Sequence, residues 1–156
     1  MDDAVAQNWP AMLEHATSAR SLVKNLDPLA NPVETYVGKA LEETGDKTGS
    51  LASFRKAFEQ NPTKLKVIMN VARLLEVNGR YDEALQYLDQ GLLIIPFHHQ
   101  LLKQKSDVYF SMKQYTNALE NYKLIKGWER DSLIRQNIRY LDQLMMEKST
   151  PEVEKK

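Results

Sequence analysis

Apolar residues recur along residues 65–96 at the spacing of a one-faced helix, twice in succession. Ile68, Val71, Ala72 and Leu75 fall on one side of a first helix. Ala84, Leu85, Leu88, Gly91 and Leu92 fall on one side of a second. Asn78-Gly79-Arg80 separates the two, with Gly79 suited to a left-handed stop and Pro96 ending the second helix.

The pattern repeats when the chain is shifted by 34 residues. Pro28, Pro62 and Pro96 superimpose, as do Gly45 and Gly79. Small residues coincide at Gly38, Ala72 and Ser106, and again at Ser50, Ala84 and Ala118. Large ones coincide at Leu41, Leu75 and Tyr109, at Leu51, Leu85 and Leu119, and at Phe54, Leu88 and Tyr122, while Tyr81 pairs with Tyr115. A fixed period with side-chain size kept at each slot marks an internal repeat. Small residues let the two helices of one hairpin approach closely, and large ones fill the ridges between. One hairpin has too little apolar surface to fold alone, so successive hairpins must stack.

These slots resemble the tetratricopeptide repeat, over roughly residues 31–130 and most specifically over residues 65–96. The resemblance implies an all-α, right-handed solenoid of three helix-turn-helix repeats, at residues 31–64, 65–98 and 99–130. The first repeat departs from the pattern at Glu34, where a bulky apolar residue is usual, and at Lys47, where Tyr81 and Tyr115 stand later. Its start at Asn31-Pro32 reads as an N-cap followed by a first-turn proline, and its turn TGDKTGS as a mobile loop. In the third repeat Lys105 and Ser106 are polar where Val71 and Ala72 are not, and Lys105 is expected to snorkel. Gly127-Trp128 stands in place of a closing proline.

Residues 1–30 read as an N-terminal helical lead. Within it a helix over residues 11–26 places Leu13, Ala16, Val23 and Leu26 on one side. Trp9 reads either as a cap on the open end of the stack or as an exposed anchor for a partner. At the other end, residues 131–147 form a capping helix with Ile134, Ile138, Leu141 and Met145 on its apolar face, and residues 148–156 a disordered tail.

Composition narrows the function. Lys and Arg total 21 and Asp and Glu total 21, so a phosphate backbone or an anionic membrane finds no net attraction, and no nucleic-acid partner is expected. The chain has no cysteine, which removes disulfides, thiol catalysis and thiolate metal sites. The acidic start MDDAVAQNWP is no secretory leader, and no apolar run is long enough to span a bilayer, so a soluble, cytoplasmic module is expected.

Catalytic constellations are not found. His98-His99 lies in a turn without metal-ligand spacing, and Glu14 and His15 diverge on a helix. Glu42, Glu43 and Glu59 read as a solvated helix surface. There is no glycine-rich phosphate loop or nucleophile elbow. The chain is therefore expected to be no enzyme and to use no cofactor or metal.

The family resemblance places function on the inner, concave groove, lined by one side of each repeat's first helix. Carried over residue by residue, it assigns Tyr36, Lys39 and Glu43 from the first repeat, Met69, Asn70, Arg73 and Glu76 from the second, and Lys103, Gln104, Asp107 and Phe110 from the third. Aromatics, amides and both charge signs suit an extended peptide or a partner helix. Co-chaperone repeats of this family grip acidic chaperone tails with a two-carboxylate clamp. Here only Asn70 matches that clamp, whereas Thr35, Lys39, Gln100 and Gln104 occupy its other slots, so a clamp binder is not expected. The reading is a protein-interaction scaffold or adaptor. Its alternatives are a non-catalytic regulatory or targeting domain of a larger enzyme, secretion or assembly machine, and a self-association module using Tyr36, Phe97, Phe110 and Trp128.

Overall fold

The computed structural model describes residues 8–22 and 31–149. Among them every regular element is helical. The chain divides into two compact units, Met1–Arg80 and Tyr81–Lys156. The division falls in the turn at Gly79-Arg80, inside the stretch read as the second hairpin.

The N-terminal unit holds α1 (Trp9–Leu22), α2 (Val33–Glu43), α3 (Lys47–Gln60) and α4 (Leu65–Val77), each packed on the next. The helix expected over residues 11–26 begins earlier, with Asn8 Oδ1 accepting from the Ala11 N–H at 3.2 Å. Residues 1–7 and 23–30, including Val23, Leu26 and Pro28, lie outside the described residues. α2 starts one residue later than its Asn-Pro signal suggests. Pro32 occupies the N-cap position with extended backbone, and Asn31 makes no cap.

Gly38 explains the small-residue slot. The ring of Phe54 on α3 lies against it, and Phe54 is 1% exposed. Val37, Ala40, Leu51 and Ala57 complete this buried layer, and α4 adds a fully buried set from Val67 to Leu75. Glu34 is itself buried at the slot where Ile68 and Leu102 stand later, while Lys47 is an exposed first residue of α3. The stretch TGDKTGS is not a loop. Its turn is confined to residues 44–46, because the Asp46 carboxylate accepts from the Gly49 N–H at 2.8 Å and starts α3 at Lys47.

The C-terminal unit holds α5 (Tyr81–Ile94), α6 (His99–Ser111), α7 (Tyr115–Lys123), a 3₁₀ turn (Trp128–Arg130) and α8 (Ser132–Ser149). Its core gathers Leu102, Ala118, Leu119, Tyr122, Ile125, Ile134, Ile138 and Leu141. Trp128 packs against this core rather than standing exposed, which removes it from the set expected to drive self-association. Ser106, fully buried at the small slot, satisfies its hydroxyl by donating to the Leu102 carbonyl at 2.9 Å. Lys105 keeps its stem packed, and its ammonium meets Asp89 of α5 at 2.6 Å. Asp131 caps α8, its Oδ1 accepting from the Leu133 and Ile134 N–H groups at 3.0 and 3.1 Å. α8 continues to Ser149, past the point where a disordered tail was expected. Residues 150–156 lie outside the described residues.

Three helix ends share one turn. Gly79 has φ +71°, with hydrogen bonds from the Gly79 N–H to the Glu76 carbonyl and from the Arg80 N–H to the Leu75 carbonyl. The paired bonds are those of a left-handed helix stop. Gly45 repeats it, and 34 residues beyond Gly79 the same conformation is held by Lys113, with φ 60°.

Candidate partner-binding faces

In the N-terminal unit Tyr36, Lys39 and Glu43 form an exposed row on α2, one turn apart at each step. Met69, Asn70, Arg73 and Glu76 are half-buried on α4. Arg73 reaches from α4 to α2 and donates to Glu42 Oε2 at 2.6 Å. Glu42 is thus a half-buried ion-pair partner and not one of the solvated carboxylates expected from the sequence. The pair links the first helices of the first two repeats. Lys39 holds its ammonium 5.0 Å from the centroid of the Trp9 ring. This cation–π contact ties α1 to α2. Trp9 is half-buried. Thr35, in a slot that would have to present a lysine for a carboxylate clamp, is buried.

In the C-terminal unit two of the predicted residues, Lys103 and Asp107, belong to a hydrogen-bonded network. Lys103 Nζ lies 2.8 Å from Asp107 Oδ2 on the same helix. Asp107 Oδ1 accepts from the hydroxyl of Tyr122, which is 2% exposed, and that hydroxyl accepts from Asn137 Nδ2 at 3.0 Å. One carboxylate therefore links α6, α7 and α8. Phe110, 38% exposed, has its ring centroid 5.7 Å from Tyr115 and 6.1 Å from Tyr140. Gln104 is half-buried on the same helix.

Tyr140 of α8 lies beside Phe110 on this face, with Leu133 two turns before it in the same helical row, and the sequence reading of α8 as a cap did not single them out. Their signal was present: Leu133, Asn137, Tyr140 and Leu144 form a second row beside the apolar one. Of the adjacent histidines, one serves the backbone and the other faces a carboxylate. His98 Nδ1 accepts from the Leu101 N–H at 3.3 Å and caps α6, and His99 Nε2 lies 3.8 Å from Asp131 Oδ2. Among the described residues, no group of three or more His, Cys, Asp or Glu side chains is placed to hold a metal ion. No described helix is long and apolar enough to cross a membrane.

Helical hairpins with a left-handed stop every 34 residues and small residues at the hairpin contact are the architecture of the tetratricopeptide repeat. Residues 43–106 match the family model of the tetratricopeptide repeat. Among solved structures, the chain is similar to MamA, with 14% identity and a TM-score of 0.77 over 93% of this chain and 85% of that one. It is also similar to a tetratricopeptide repeat protein from Parabacteroides merdae, with 19% identity and a TM-score of 0.80 over 94% of this chain and 57% of that one. A third similar structure is YrrB, described as a TPR protein with an unusual peptide-binding site. It shares 16% identity at a TM-score of 0.73 over 88% of this chain and 69% of that one. At these identities the likeness is one of fold. No curated protein matches the sequence.

Proposed function

We propose that this chain is a protein-interaction scaffold that binds a peptide or helix of a partner protein on the accessible faces of its first helices. The groove residues are Tyr36, Lys39, Glu43, Met69, Asn70, Arg73 and Glu76 in the N-terminal unit, and Lys103, Gln104, Asp107 and Phe110 in the C-terminal one. The observation that supports this reading is the Arg73–Glu42 pair, which links α4 to α2 beside the exposed row of Tyr36, Lys39 and Glu43. The peptide-binding site named for YrrB supports it by likeness of fold.

Replacing both Asn70 and Arg73 by alanine is expected to abolish capture of the partner with the melting temperature held within a few degrees. The partner is first identified by pull-down and mass spectrometry, then retested as purified protein. Retained capture, with loss instead on changes to the opposite helix faces, refutes the assignment.

Self-association is the second reading. It is favoured by the exposure of Leu93, Ile94, Ile95 and Phe97, with Leu93 83% and Phe97 69% exposed at the end of α5 and beyond. Mass measured by light scattering across a concentration series separates the two.

A further inference from the structure

Two lysines of this chain hold their ammonium groups over aromatic rings. Lys105 Nζ lies 5.7 Å from the centroid of the Tyr109 ring, and the same ammonium meets Asp89 Oδ1 at 2.6 Å. A ring and a carboxylate together complete its surroundings. Lys39 Nζ lies 5.0 Å from the centroid of the Trp9 ring. Here the ring is present without the carboxylate, since among the described residues no Asp or Glu pairs with Lys39. Glu43, one turn on along the same exposed row, does not reach it.

We propose that Lys39 and Trp9 form a binding site for one carboxylate, completed by an Asp or Glu side chain of a partner protein, with Trp9 as the residue that positions the ammonium. The proposal rests on the scaffold reading above and names what Lys39 recognises there. An aromatic face attracts a cation through its quadrupole but carries no net charge, so the ammonium keeps its charge and its free donors. Of the two cations assigned to the face of the N-terminal unit, Arg73 is already neutralised by Glu42 at 2.6 Å, and Lys39 is the one that lacks a carboxylate.

Holding the long lysine chain over a ring removes rotamer freedom before a partner arrives, so less is lost on binding. Trp9 thereby gains a role that neither a cap nor a protruding anchor describes. It is half-buried, and its ring carries the cation instead of meeting the partner itself. The site takes one carboxylate on one ammonium. It differs in this from the two-carboxylate clamp, whose lysine slot holds the buried Thr35.

The test uses the full chain, immobilised, and a phage-displayed library of short random linear peptides. Lys39→Met, Lys39→Arg, Trp9→Tyr, Trp9→Leu and Asn70→Ala are compared with the parent, each first shown to be folded by its circular-dichroism melt. Enriched peptides are expected to share an Asp or Glu. Replacing it by Asn or Gln should cost about tenfold or more against the parent and little against Lys39→Met. Lys39→Arg should bind nearly as the parent does. Trp9→Leu keeps an apolar side chain but no ring face and should weaken binding about two- to fivefold, while Trp9→Tyr restores it. Equal binding by the Leu and Tyr variants overturns the positioning role, because packing of α1 alone would treat them alike. Failure of any peptide to enrich, enrichment without an acidic residue, or coupling of that residue to a cation other than Lys39 overturns the site. So does a concentration-dependent dimer lost with Lys39→Met, in which a second copy supplies the carboxylate. If capture depends on Asn70 and not on Lys39, this inference falls while the scaffold reading stands. If it depends on neither, the scaffold reading falls as well.

Discussion

The ring of Phe54 lies so close to Gly38 that a β-carbon at residue 38 would stand 3.0 Å from Cδ2 and Cε2. Carbon atoms pack comfortably at about 3.5–4.0 Å, and a buried ring in a dense core has little room to withdraw. Gly38→Val is therefore expected to cost about 1–3 kcal/mol, read by urea unfolding. The equivalent slots hold Ala72 with Leu88 and Ser106 with Tyr122, so residue size at one position tracks the other imperfectly. The direct test is a double-mutant cycle between Gly38→Ala and Phe54→Leu, with an expected coupling of at least about 0.5 kcal/mol. Simple additivity would show that the ring does not meet residue 38.

Ser50 is fully buried, and among the described residues its hydroxyl has no hydrogen-bond partner. The corresponding residues 34 and 68 positions later are Ala84 and Ala118. Ser50→Ala removes an unpaired polar atom without opening a cavity larger than that atom. It should raise stability by about 1 kcal/mol. A lowered midpoint of chemical unfolding would mean that the hydroxyl has a partner after all.

Lys113 holds a left-handed conformation, φ 60°, at the position filled elsewhere by Gly45 and Gly79. A side chain with a β-carbon is strained there by about 1 kcal/mol relative to glycine. Lys113→Gly is predicted to be neutral to stabilising by up to about 1 kcal/mol, because the relief of strain outweighs the added freedom of the unfolded chain. Lys113→Val should instead destabilise. The order Gly above Lys above Val in melting temperature checks both statements at once.

Tyr122→Phe removes the hydroxyl that joins Asp107 to Asn137 while leaving the buried ring in place. Asp107 keeps Lys103, but the Asn137 amide loses its acceptor. A loss of about 1–2 kcal/mol is expected. Asn137→Ala, made on top of Tyr122→Phe, should then cost less than it does alone, since the bond is already gone. Equal costs in both backgrounds would remove the network from the account of this face.

The repeat was legible in the residues because it depends on side-chain size at fixed intervals. Gly38, Ala72 and Ser106 announce close helix contacts whatever their neighbours, and Gly45 and Gly79 announce left-handed stops. Lys113 did not announce its own, since lysine has no preference for that conformation. Only its register with Gly79 points there. Asp46 was hidden for a related reason. The stretch TGDKTGS has the composition of a loop, but one carboxylate on one backbone N–H turns its second half into the first turn of α3. Trp128 read as exposed because a large apolar residue after a glycine carries no sign of which way it folds. The core of the C-terminal unit takes it in.

The sequence alone determined the helices, their period and the faces each would bury, since these follow from the 3.6-residue turn and from residue size. What only the tertiary structure decided is which polar and aromatic side chains find each other on the faces left over. Arg73 and Glu42 are 31 residues apart, and Asp107 and Tyr122 are 15 apart. Their meeting depends on how one helix is set against the next, which local periodicity does not encode. Glu42 neutralises Arg73 and Lys103 neutralises Asp107, whereas Tyr36 in the N-terminal unit and Phe110 and Tyr140 in the C-terminal unit stay exposed.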